Sequence, residues 1–130
     1  MTAMKHHAKG WINITSYESK IYDEAGGGKI SEVHVADEFS GDFVGTGSAR
    51  FLMVTDAGCG DHFTGMERFI GKLGERSGSF ILQNSGKLKD GVLQSEWLVV
   101  SGSGTGELSG LRGEGGCRSA DGVFLDYWFE

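Results

Sequence analysis

Glu67 is the residue best placed to do chemistry. It stands in phase with Phe63, Gly65 and Phe69 in an alternating stretch that runs from about Asp61 to Leu73. If that face turns inward, a carboxylate enters an apolar interior. Burial then raises its pKa and suits it to general acid or base work. The opposite phase turns Thr64, Met66, Arg68 and Ile70 inward and leaves Glu67 in solvent, and the stretch itself allows either. Arg76, Gln83 and Asp126 are the polar residues expected to meet Glu67 inside. The plainer reading, and the favoured one, is an ion pair of Glu67 with Arg76 or Arg112 that fixes one end of the fold.

Other constellations carry less. Cys59 and His62 have C-x-x-H spacing beside Asp56 and Asp61, but a zinc site needs three or four ligands. Cys117 or His34 would have to arrive from elsewhere, so no metal is expected. The run Gly102–Gly116 is glycine-rich without being a phosphate loop. Its spacing is not G-x-G-x-x-G, no Lys-Ser or Lys-Thr follows, and a strand rather than a helix comes next. His6, His7, His34 and His62 sit in no recognised nucleophile motif, and no Ser-His-Asp set can be assembled. No cofactor is implied.

The large rings offer a different use. Phe63, Phe80, Trp97, Tyr127 and Trp128 are ordinary core material. They are also what lines a small-molecule cavity, which is mostly apolar with a few polar groups. The residues expected to contact a ligand are therefore Phe63, Glu67, Phe80, Gln83, Trp97 and Tyr127, with Glu67 the one catalytic candidate.

These side chains need a scaffold, and its period is two. No stretch of a dozen residues keeps a helical apolar spacing without a glycine interrupting it. Candidate strands run at about 9–17, 30–39, 43–55, 61–73, 77–88, 92–101, 105–117 and 123–130. Turn chemistry separates them, including Asp90-Gly91 and Asp121-Gly122. In the second strand Val33, Val35, Asp37 and Phe39 alternate with Glu32, His34, Ala36 and Glu38. Short connections imply up-and-down antiparallel pairing. The expected fold is all-β, a single eight-stranded antiparallel barrel, with a β-sandwich as the alternative. Residues 1–8 are expected to be a disordered N-terminus and residues 9–130 the barrel domain.

Composition narrows the partners. The chain of 130 residues carries 12 basic and 18 acidic side chains, a net charge of −6. The lysines are scattered, so nucleic acid is not an expected partner. No apolar run approaches the length that spans a bilayer, and the first residues are polar. A cytoplasmic setting with free thiols is expected, and no membrane association. The 23 glycines suit a barrel whose strands must bend. The absence of proline has no evident physical cause.

Three segments together carry a resemblance. They are Gly102–Gly116 (GSGTGELSGLRGEGG), Gly65–Leu73 with Arg76–Gln83 (GMERFIGKL and RSGSFILQ), and Leu125–Glu130 (LDYWFE). Over about residues 9–130 the chain resembles a bacterial domain-of-unknown-function family, itself similar to the allene oxide cyclase barrel. Plant dirigent proteins share a related Gly-Thr-Gly pattern near their C-terminal strands. The resemblance implies an eight-stranded calycin-like barrel and no particular reaction. No match to the catalytic residues of allene oxide cyclase is found, so that activity would rest on fold alone.

Three functions follow from these residues. The first is binding of a small apolar or aromatic molecule in the barrel. The second is a cofactor-independent cyclase or isomerase using Glu67. The third is a structural homo-oligomer joined through exposed apolar residues on the outer wall.

Overall fold

The computed structural model describes residues 4–56, 60–118 and 121–130. Eight strands follow one another: β1 (His6–Asp23), β2 (Lys29–Gly41), β3 (Phe43–Asp56), β4 (Gly60–Leu73), β5 (Arg76–Lys89), β6 (Val92–Val99), β7 (Leu111–Arg118) and β8 (Gly122–Phe129). Each pairs antiparallel with the next, and β8 pairs with β1 to close the ring. The closing contact sets His6–Gly10 against Tyr127–Val123. The turn residues suit their places. Asp90 and Gly91 both take positive φ (53° and 77°), as a two-residue hairpin whose twist matches its strands requires.

Side-chain phase is the same all round the ring. Val33, Asp37 and Phe39 of β2, Ala49 of β3, Glu67 and Phe69 of β4, Phe80, Leu82 and Asn84 of β5 and Trp97 of β6 are buried. Their strand neighbours Glu38, Met66, Arg68, Gln83 and Leu98 are exposed. One half of the interior is solid. Phe39, Phe43, Phe69, Phe80 and Trp97 interlock there, with Phe39–Phe69 and Phe69–Phe80 centroids 5.1 Å apart. Leu73, Leu108, Leu111 and Leu125 complete that end.

Two boundaries differ from the sequence expectation. Residues 6–8 are not a loose tail: β1 begins at His6, whose ring stacks on Tyr127 at 5.1 Å, and Ala8 is fully buried. Cross-strand pairing with β8 supplies the order that polar composition concealed. The seventh strand starts at Leu111, not Thr105. Before it the chain turns through a single 3-10 turn, Gly106–Leu108, with Gly106 and Gly110 at positive φ (59° and 83°). This segment replaces β6 along the lower half of β5. The Ser79 N–H donates to Thr105 Oγ1 (3.1 Å), that of Ile81 to Ser103 Oγ (3.0 Å), and that of Ser77 to the Glu107 carboxylate (3.0 Å). Leu108 drops from the same turn into the core as a plug.

Candidate functional site

The other half of the barrel interior is open. The first five strands are 13 to 18 residues long, whereas β6, β7 and β8 have eight each. The tall wall therefore rises past the short one. Among the described residues, β1 beyond Gly10 pairs with β2 alone. Between the walls lies a cavity of about 400 Å³, within the range of small-molecule sites. Its walls are Trp11, Ile14, Tyr17, Val33, Phe51, Met53, Phe63 and Leu88, among others. The Phe51 and Phe63 rings meet edge to face at 5.3 Å.

The floor of this cavity is polar. Asp37, Asn84 and Trp97 all line it, and Glu67 lies directly behind Asp37. Their exposures are 5%, 7%, 3% and 3% respectively, so all four are buried. The Asp37 and Glu67 carboxyls face each other closely enough to share a hydrogen bond once one of them carries a proton. They meet across Gly47 of β3, the register partner of Asp37. A methyl group on Gly47 would collide with Asp37 Oδ1 and stand 2.6 Å from Glu67 Oε2. Burial, the Asp37 hydrogen bond and its charge push Glu67 up to about 9. Burial also raises Asp37, while the Glu67 hydrogen bond partly offsets that. The pair thus keeps a proton, on Glu67, through neutral pH. Asp37 Oδ1, Glu67 Oε2, Asn84 Oδ1 and Trp97 Nε1 have no hydrogen-bond partner. Buried polar atoms are rarely left so, and here four lie within one region of the interior.

The residues singled out from sequence are divided by this geometry. Phe63, Glu67 and Trp97 belong to the cavity or its floor. Phe80 lies in the solid half, packed on Phe69. Gln83 points outward, because it alternates with the buried Leu82 and Asn84. Tyr127 lies near the closed end, between His6 and Phe129, with its hydroxyl beside the β4–β5 turn at Gly74. The expected convergence on Glu67 is corrected in the same way. Arg76 sits over the Phe129 ring at 4.1 Å, Asp126 accepts from His7 at 2.5 Å, and Arg112 pairs with Glu130 at 3.0 Å. Glu67 is held by Asp37 instead of by a cation. His34 bonds Glu32 at 2.8 Å on the outer wall and His62 is exposed. Cys117 is half-buried against the cavity, and Cys59 lies outside the described residues.

Asp37 and Asn84 were not singled out as site residues. A signal for both was present: Asp37 keeps phase with Val33 and Phe39, and Asn84 with Phe80 and Leu82. A polar residue at an apolar phase is the local mark of a buried site.

The fold and site together define a class: a closed eight-stranded antiparallel barrel, filled at one end and open to a carboxyl-floored cavity at the other. The chain belongs to the family described as "Protein of unknown function (DUF3224)", which matches residues 8–130. It is similar to a crystal structure of a DUF3224 protein of unknown function from Shewanella oneidensis MR-1. The two share 27% identity, with 99% of each chain covered and a TM-score of 0.78. No functionally curated protein matches the chain.

Proposed function

We propose that this barrel binds a small apolar or aromatic molecule in the open half of its interior. The observation that carries the reading is the cavity of about 400 Å³, walled by aliphatic and aromatic side chains and floored by unpartnered polar atoms. Walls of that kind supply affinity through burial, and a few polar groups fix orientation. A net charge of −6 supports a small-molecule partner over nucleic acid, in a cytoplasmic setting. The test is titration with N-phenyl-1-naphthylamine, a neutral dye that brightens in apolar sites. Saturable binding that disappears in Met53→Trp, which fills the cavity, supports the reading. Binding that Met53→Trp leaves intact removes it.

A second reading, a cofactor-independent cyclase or isomerase of the allene oxide cyclase-like type, is favoured by the Asp37–Glu67 pair. One carboxyl with a proton and one without can donate and accept in a single step beside a bound substrate. Its test is uptake of solvent deuterium beside the carbonyl of an apolar ketone such as phenylacetone. Uptake catalysed by the protein and lost in Glu67→Gln supports it, and uptake unchanged by that substitution counts against it.

A further inference from the structure

The cavity floor has an acid pair with no basic partner, and that property selects a ligand. Asp37 and Glu67 are two acids in contact inside the barrel, and no cation acts on either of them. The ion pairs among the described residues are on the outer surface: Lys29 with Glu24, Arg112 with Glu130, His7 with Asp126 and His34 with Glu32. The cavity's one basic lining residue is Arg118, which is exposed and is not among the groups that act on Asp37 or Glu67. A buried charge is costly unless something pairs it.

The unpartnered acceptors of two residues that line the cavity state what that partner must offer. Asp37 Oδ1 and Asn84 Oδ1 are both acceptors without a donor. An ammonium group brings three donors and no acceptor, an alcohol brings one donor, and a carboxylate brings none. The walls suit the same group. Trp11, Tyr17, Phe51 and Phe63 surround the space above the floor, and ring faces attract cations strongly once water is excluded.

We propose that the ligand is a primary amine with an apolar or aromatic body, its ammonium docked on Asp37 and Asn84. This rests on the pocket reading given above and adds the head group to it. The body fills the aliphatic and aromatic walls, and the ammonium supplies the missing donors together with a positive charge beside the acid pair. Trp97 Nε1, a donor, is left for an acceptor atom on the same body.

The experiment is calorimetry at pH 7 on the full chain with three compounds that share one apolar body: 2-phenylethylamine, 2-phenylethanol and 3-phenylpropanoate. The expected order is amine tightest, at least about tenfold over the alcohol, with the carboxylate weakest. The double variant Asp37→Asn with Glu67→Gln keeps the shapes and removes the charge, so it should bind amine and alcohol alike. Circular dichroism checks that it folds. Should it not fold, Asn84→Ala serves in its place and should cut the amine's advantage several-fold. An amine that binds no tighter than the alcohol, while N-phenyl-1-naphthylamine still binds, overturns the amine and leaves the pocket standing. Failure of all three compounds and of the dye takes both readings down together.

Discussion

Asp37 and Glu67 come from β2 and β4 and touch only because β3 places Gly47, with no side chain, between them. The gap is a backbone feature, and it makes the pair a tertiary object with a defined weak point. Gly47→Ala should therefore cost about 1–3 kcal/mol or more, because the added methyl meets two carboxyls and the Phe39 ring (2.9 Å). Urea unfolding measures it. A stability equal to that of the parent protein would mean that the pair parts at no cost.

The pair also fixes a pH dependence. Glu67 titrates near 4.5 when free and near 9 in the fold. Between those values the folded chain keeps a proton that the unfolded chain has released. The Glu67 contribution is thus fully present below pH 4.5 and is lost as pH rises toward 9, by up to about 1.4 kcal/mol per unit. Asp37, also raised, acts in the same direction. Urea midpoints at pH 5, 7 and 9 should fall for the parent protein and stay flatter for Glu67→Gln. A midpoint that rises across this range contradicts the buried pair.

Leu108 tests the closed end separately. It is fully buried, on a turn that also carries hydrogen bonds to β5. Leu108→Ala should cost about 2–5 kcal/mol in chemical unfolding. Dye affinity at a temperature where the variant is folded should hold, because Leu108 lines none of the open cavity. A loss of dye binding in the folded variant would show that the two halves of the barrel are coupled.

Met53→Trp should separate stability from binding. Met53 is half-buried and borders open space, so a larger ring has room. Its effect on unfolding should stay within about 1 kcal/mol, while dye binding is lost. Destabilisation by several kcal/mol would mean that this space is not free to be filled.

The tall wall should be the looser one. Among the described residues, β1 beyond Gly10 has a partner strand on one side, whereas β4 pairs from Asp61 to Leu73 with both β3 and β5. Amides of residues 11–23 should exchange with deuterium well before those of residues 63–71, as measured by exchange mass spectrometry. Equal protection would reveal that another strand covers this edge in solution, since such edges invite added strands.

Much of this was legible in the residues. Period-two alternation, Asp90-Gly91 and the short connections specified eight antiparallel strands, because each strand's pattern and each turn's backbone preference are local properties. The presence of a carboxylate at position 67 in an apolar phase was local too. What was not local was the sense of that phase. A strand of alternating residues has two faces, and only ring closure and packing against seven other strands decide which one is inside. That choice buried Glu67, turned Gln83 outward, and sent Tyr127 to the far end of the barrel. The partner of Glu67 was equally out of reach. Asp37 lies 30 positions earlier in the chain, and contact between the two depends on the bare backbone of Gly47 lying between their strands. The cavity itself comes from unequal strand lengths around the ring, a sum over all eight elements that no single segment records.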